Sequence, residues 1–302
     1  MNRRSPSLRR PDLGDAECRH TDQRAMTAAA ELLTLRSPRV KKARRLTRRA
    51  CRLSERRFLA EGPQAVREAL GRPQCVVEVF ATRDATERLG ELRDTAAKSD
   101  IAWHLVEVPA AAALTATATP QGVVAVCNFI DQPLELALAA APTLVVVCAD
   151  VRDPGNAGAV IRCADAAGAG AAIMAGDSVD PYNGKAVRAS VGSVFHLPIV
   201  FGLTMSEVTA ALRAHGVTLL AADNGGDMTL DEALADGILS APTAWLFGNE
   251  AWGLPPEHAS LADHVVRVPI YGRAESLNLA AAAAVCLYTS AGAQRQTRPQ
   301  SW

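Results

Sequence analysis

The sequence predicts an α/β fold in two parts, a small domain over residues 31–130 and a larger one over residues 144–293. Three observations carry this. Apolar runs such as "LVVVCAD" (144–150) are continuous rather than alternating, as expected of strands covered on both faces. Helical patterns separate most of these runs, which implies a largely parallel sheet flanked by helices. With 49% hydrophobic residues in 302, the chain can bury the core such a fold needs.

Composition excludes several classes. No stretch reaches the roughly 18 uncharged apolar residues of a membrane span. The charged N-terminus lacks the apolar segment of a secretory signal. Seven cysteines stand singly at 18, 51, 75, 127, 148, 163 and 286 with no CxxC pair, so neither a structural zinc site nor a disulfide framework is indicated. The reading is a soluble cytoplasmic protein without a metal.

Residues 1–30 have mixed charge and no periodicity and are expected to be a disordered extension. Met26, which precedes a helical pattern, is a candidate natural initiator. A basic helix follows, then "RFLAEG", a helix over Pro63–Leu70, a strand over Cys75–Phe80, a helix through "TERLGELRDTAA" and the strand "GVVAVCNF". Residues 131–143 read as a linker or short connecting helix. Beyond "LVVVCAD", strands are predicted at Ala171–Met174, Val194–Val200, Val217–Ala221, Ala244–Phe247 and Val265–Val268, with a tail over 294–302.

A formal net charge of zero hides a segregation. Between Arg36 and Arg57 there are eleven Lys or Arg and one acid, Glu55. A one-signed stretch of this kind is the footprint of a phosphate-binding surface, with Arg44, Arg45, Arg48 and Arg49 as candidate RNA contacts. The alternative is a solvated helix face.

In parallel α/β sheets ligands bind beyond the carboxyl ends of the strands, so the loops after Ala149, Phe247 and Val268 are where chemistry is sought. In "DVRDPGNAGAVIRCADAAG" (150–168), Pro154 and Gly155 turn the chain and Asn156 is a natural helix cap. Arg162 stands among Ala, Val, Ile and Cys, where a guanidinium either finds an anionic partner or reaches out to water. "LFGNEAWGLP" (246–255) sets an amide and a carboxylate, Asn249 and Glu250, at the mouth of a core strand. A turn needs the Gly and Pro there but not an ionisable group, although a solvated acid in a strand-to-helix turn is the plain reading. In "VPIYGRAESLNLAAAAAVCLY" (268–288), Ser276 resembles an N-cap before an alanine-rich helix.

Together the three loops resemble the three sequence motifs of the SpoU-type RNA 2′-O-ribose methyltransferases of the SPOUT superfamily. Asn156 and Arg162 match N-x-G-x-x-x-R, Gly248, Glu250 and Gly253 match G-x-E-x-x-G, and Ser276-Leu277-Asn278 match S-L-N. "RRFLAEGPQAVREAL" (56–70) is similar to the L30e-like substrate-binding domain that many members carry, a layout shared with the thiostrepton-resistance ribosomal RNA methyltransferases.

The resemblance implies a SPOUT domain with a C-terminal deep trefoil knot, where pattern alone implies an open doubly wound sheet. It also implies S-adenosyl-L-methionine held near Gly248, Val268, Ile270 and Leu277, and methyl transfer to a ribose 2′-hydroxyl in structured, ribosomal RNA. Asn156, Arg162, Glu250, Ser276 and Asn278 become the catalytic candidates. Arg162 orients the hydroxyl or an adjacent phosphate, Glu250 pairs with a buried arginine or holds helix-start amides, and the others fix geometry. A homodimer through the knot domain is implied too, and the apolar 279–286 helix, which needs covering on all sides, agrees with it. The rival readings are a non-catalytic RNA-binding protein of the ribosome or its assembly, and a nucleotide-dependent oxidoreductase. The latter rests only on Gly155 and Gly158, which do not make GxGxxG.

Overall fold

The computed structural model describes residues 32–117 and 119–297. The extension over 1–30, with Met26, and residues 298–302 lie outside the described residues. The basic run forms two short helices rather than one, α1 (Pro38–Arg45) and α2 (Arg49–Glu55). They separate because Arg48 is extended, at φ −96° and ψ 131°, and cannot carry a helical turn. Next come β1 (Arg57–Glu61), α3 (Pro63–Gly71), β2 (Val76–Ala81), α4 (Arg83–Arg88), α5 (Gly90–Lys98), β3 (Ala102–Leu105), α6 (Val108–Ala112) and β4 (Val123–Asn128). The single helix expected through "TERLGELRDTAA" is α4 and α5, parted at Leu89 (φ −111°, ψ 40°) before the weak helix former Gly90. The strands make a four-stranded sheet in the order β1-β4-β2-β3, antiparallel except between β2 and β3.

The second part comprises α7 (Leu134–Ala139), β5 (Leu144–Ala149), α8 (Pro154–Ala167), β6 (Ala171–Ala175), α9 (Gly184–Ala189), β7 (Ile199–Phe201), α10 (Met205–Ala214), β8 (Thr218–Ala222), β9 (Met228–Thr229), α11 (Leu230–Ala235), β10 (Thr243–Phe247), α12 (Pro256–Ala259), β11 (His264–Arg267) and α13 (Leu279–Thr297). Its seven strands are all parallel, in the order β7-β6-β5-β10-β8-β11-β9. β5 and β10 are buried at every position, which is why each reads as an unbroken apolar run. β10 enters between β5 and β8, although it follows both in sequence. The loops after β5, β8 and β10 therefore leave side by side from one edge of the sheet.

Two expectations are corrected here. Val194–Val200 is not one strand: a 3-10 turn occupies Ser193–Phe195, and β7 starts only after Pro198, which has no N–H to give a ladder. Segment 131–143 holds a short helix, α7, the second of the two forms expected of it, which buries Leu134, Ala137 and Leu138 in the core on one face of the seven-stranded sheet. Residues 294–297 continue α13 rather than opening a tail; Gln294 is buried and donates to the carbonyls of Thr143 and Ala241.

The two sheets share a core. Apolar residues pack without a break from β1, α3 and β4 into β5, α8 and β7. Aromatics are scarce in this chain, yet Phe58, Phe129, Tyr182, Phe195 and Phe201 gather at this junction, with Phe129 and Tyr182 ring centroids 4.2 Å apart. Such pairs add about 0.5–1.5 kcal/mol each beyond their buried area. Arg52 of α2 donates to Asp180 at 2.8 Å, with side chains 4% and 2% exposed, and its Nη1 also donates to the carbonyls of Leu46 and Thr47. Removing one partner of a buried pair leaves an uncompensated charge, at a cost of about 3–5 kcal/mol. Arg188 to Glu61 at 2.8 Å and Arg72 to the Phe195 carbonyl at 2.8 Å cross the same boundary.

Candidate active site

The loops after β10 and β11, together with Asn156 of α8 and the end of β8, line one cleft of about 500 Å³ at the carboxyl edge of the seven-stranded sheet. That volume lies in the range of small-molecule sites. Ten residues singled out from the sequence line it: Asn156, Gly248, Asn249, Glu250, Gly253, Val268, Ile270, Ser276, Leu277 and Asn278. Arg162 does not.

A line of hydrogen bonds joins the three motifs. Asn278 Nδ2 donates to Asn156 Oδ1 at 3.2 Å, and Asn156 Nδ2 donates to Glu250 Oε1 at 3.1 Å. An amide is the side chain for the middle position, since it donates and accepts at once.

The polar residues of "LFGNEAWGLP" follow from its turn. Asn249 and Gly253 exchange both backbone hydrogen bonds at 2.9 Å, so residues 250–252 form a tight tip. Gly253 has φ +72°, which favours glycine. A Cβ on Gly248 would collide with the Gly253 carbonyl group, so this glycine is required by the chain crossing back over it. Asn249 is buried; its Nδ2 donates to the Asp150 carbonyl and its Oδ1 accepts from Ala251 N–H, both at 2.8 Å. Beneath the loop, burial and then the charge of Glu250 push the Cys148 thiol up to about 12, so it serves as an inert core residue.

Three expectations about roles are corrected, and one open alternative is decided. Asn156 does not cap α8; Asp153 does, its Oδ1 accepting from Asn156 N–H at 2.8 Å. Pro154 sits in the first turn and moves the helix start forward, which frees the Asn156 amide for the cleft. The hydrogen bond from Lys185, at 2.7 Å, and then that from Asn156 N–H hold the Asp153 carboxyl below its ordinary range. Ser276 does not cap α13; Asn278 Oδ1 accepts from Ala280 N–H at 2.9 Å. Glu250 meets Asn156 rather than an arginine or a helix start. Arg162 is exposed and carries no ion pair among the described residues, so its helix face lies in solvent, where a guanidinium costs little.

Sequence reasoning missed the loop after β8. Asp223 and Asn224 line the cleft, and Asn224 Nδ2 donates to the Glu275 carbonyl at 3.1 Å. The signal that could have found them was "AADNGG", a carboxylate at the end of a buried strand followed by two glycines.

The basic run divides. Arg44, Arg48 and Arg49 are exposed without an ion pair among the described residues, and Arg45 lies 3.9 Å from Glu55. Arg52 is structural, and Arg39 and Arg56 pair with Glu78 and Asp131 at 2.7 Å each. Among the described residues no group of three or more His, Cys, Asp or Glu could hold a metal ion, and no helix is long and apolar enough to cross a membrane.

Residues 143–288 match the model of the SpoU rRNA methylase family, and residues 37–125 match that of the MRM3-like substrate binding domain. Over 260 residues the chain is 34% identical to the 23S rRNA (guanosine(2553)-2′-O)-methyltransferase RlmP of Bacillus subtilis, covering 85% of this chain and 98% of that protein. The chain belongs to the SpoU rRNA methylase family. An rRNA methyltransferase from Sinorhizobium meliloti, crystallised with S-adenosyl-L-methionine, superposes with a TM-score of 0.76 at 31% identity, over 89% of this chain and 99% of that one. The SpoU methyltransferase AviRb from Streptomyces viridochromogenes, also solved with this cofactor, gives 0.75 at 28% identity, over 87% and 100%.

Proposed function

We infer that this protein transfers the methyl group of S-adenosyl-L-methionine to a ribose 2′-hydroxyl of ribosomal RNA. The observation that carries the reading is the line Asn278–Asn156–Glu250, in which residues of three separate loops meet on one cleft. Fold analogy alone would not give function; a joined set of polar groups at the family's motif positions does.

The cleft suits the cofactor. Phe247, Val266, Val268, Ile270 and Leu277 supply apolar wall for a purine, and Asp223 supplies a carboxylate of the kind that accepts from ribose hydroxyls. When bound, S-adenosyl-L-methionine provides a methyl on a sulfonium, which is a good leaving group. The chain's task is then to position a weak nucleophile. Asn156, Glu250, Ser276 and Asn278 hold that geometry. Arg162, a poor base, orients the hydroxyl or a neighbouring phosphate and offsets charge, while a phosphate oxygen or water takes the proton.

Arg162 lies outside the cleft of its own chain, which favours a homodimer in which a second copy contributes. α13 is covered on one face only: Ala283, Cys286 and Leu287 are buried, whereas Val285 and Tyr288 are 41% and 53% exposed. α8 packs beside it. An isologous pairing through this stripe would remove the exposed area from water. The re-entry of β10 between β5 and β8 favours the trefoil knot of the SPOUT fold. Arg44, Arg45, Arg48 and Arg49 provide an RNA-docking surface on the first domain, and the place of work is the cytoplasm, with the ribosomal substrate.

The test is a labelled-methyl transfer assay on deproteinised ribosomal RNA, with nucleoside analysis of the product and equilibrium titrations of S-adenosyl-L-methionine and NAD. Ribose-methylated nucleoside and binding of the first ligand alone are expected. No transfer to any RNA, or a base-methylated product, overturns the reading.

A further inference from the structure

The tip of the 248–253 turn carries a side chain that the turn does not need. Gly248, Asn249 and Gly253 set the backbone, and Glu250 reaches Asn156. Trp252, at the same tip, is 57% exposed. An indole left in water forgoes the stabilisation that burial would bring, so the fold gives no account of it.

Its placement is fixed all the same. The tip is held by two backbone hydrogen bonds and by the buried Asn249 side chain. The guanidinium of Arg152, from the loop that leads to Asn156, stands 5.6 Å from the centroid of the Trp252 ring. Arg152 is itself 58% exposed, with one long contact to Asp177 at 3.4 Å. The tip thus leans on the first loop at two points, Glu250 on Asn156 and Trp252 beneath Arg152. Ala251 and Gly253, on either side, line the cofactor cleft, but Trp252 does not. The ring faces something other than the cofactor, within two residues of the hydrogen-bonded line that marks the reacting centre.

We propose that Trp252, braced by Arg152, is the stacking platform for an unpaired nucleobase of the RNA substrate, at or beside the nucleotide whose ribose is methylated. The inference rests on the RNA methyl-transfer reading and deepens it. Site-specific recognition of RNA works chiefly on unpaired, unstacked nucleotides, whose bases lie on an aromatic face in place of the neighbouring base. Every base has a π face, so the platform fixes position without choosing the base. Arg152 keeps the ring in place through a cation–π interaction and retains donors for the adjoining phosphate.

The experiment has two readouts. In methyl transfer to ribosomal RNA, Trp252→Ala is expected to raise the KM for RNA about 5- to 150-fold, with the Kd for S-adenosyl-L-methionine unchanged, and Trp252→Phe to stay near wild type. In the second, tryptophan emission of the full chain is followed while a short uridine oligomer is added. Wild-type emission should be quenched by the stacked base; Trp252→Phe, which lacks the reporter but keeps a face, should show no comparable change. Trp245 is fully buried and cannot supply this signal. A wild-type KM in Trp252→Ala, or equal quenching in Trp252→Phe, overturns the platform. If the wild-type protein transfers no methyl to RNA, the functional reading fails by itself, and quenching alone then decides the platform.

Discussion

Asn156 donates to Glu250 at 3.1 Å across two loops that are far apart in sequence but leave neighbouring strands of one sheet. With Asn278 donating to the same amide, neither loop can shift without breaking a bond to the other. Asn156→Asp keeps the size and removes the donor, and it sets two carboxylates against each other. Methyl transfer is expected to fall by about 10²-fold, the scale of a misplaced reacting group. A labelled-methyl assay checks this, and wild-type turnover would show the line to be incidental.

Arg162 provides a cleaner separation of chemistry from folding. It is exposed and makes no ion pair among the described residues, so Arg162→Ala should leave the thermal midpoint and the cofactor Kd near wild type. Methyl transfer should drop by at least about 10²-fold. A loss of stability on the same scale as the loss of rate would mean that the arginine holds the fold and not the substrate.

Much of this site was legible because each loop puts polar residues where an apolar run has just ended. What was not legible is which side chain meets which. Asn156 looked like a cap because Asn caps helices well, but Pro154 moves the start of α8 and hands that role to Asp153. Glu250 was expected to meet a buried arginine or helix-start amides, yet it finds the side-chain amide of Asn156, and of the two alternatives for Arg162 it takes the one in water. The fold class followed from continuous strands, whereas the place of β10 in the sheet depends on long-range pairing that no local pattern encodes. The basic run was read as one surface because sequence cannot show that Arg52 alone turns inward to Asp180.

Asp223 tests the part of the cleft that the sequence did not reveal. It follows directly on β8, lines the cleft and has the chemistry to accept from a cofactor hydroxyl. A hydrogen bond to a charged group contributes about 1.5–3 kcal/mol, so Asp223→Ala should weaken S-adenosyl-L-methionine binding by about 10- to 150-fold. Calorimetric titration measures it. An unchanged Kd would place the ribose elsewhere in the cleft.

The basic run should divide in function as it does in structure. Neutralising Arg44, Arg48 and Arg49 is expected to weaken RNA binding and flatten its dependence on salt, by about 0.9 in slope for each duplex phosphate that is no longer neutralised. Cofactor affinity and stability should hold. Arg52→Ala should do the opposite, lowering unfolding free energy by about 3–5 kcal/mol through its stranded partner Asp180. Urea titrations beside filter binding at several salt concentrations separate the two; equal effects from both changes would refute the division.

His196 links the two parts of the molecule in a way that depends on pH. Its Nδ1 lies 2.7 Å from Asp165 on α8 and its Nε2 lies 3.2 Å from Glu68 on α3. The hydrogen bond to Asp165, opposed by partial burial and aided by Glu68, raises the imidazole above its ordinary 6.5. A folded-state pKa above the unfolded one means that folding favours the protonated ring. Its contribution is therefore complete below pH 6.5 and is lost as pH rises through the higher folded value. The side chain is 41% exposed, so solvent and salt reduce the effect. His196→Gln should lower the urea midpoint most at mildly acidic pH, and the gap to wild type should close toward alkaline pH. A gap that widened as pH rose would mean that the neutral ring, and not the imidazolium, is the form the fold prefers, and that the bridge is not an ion pair.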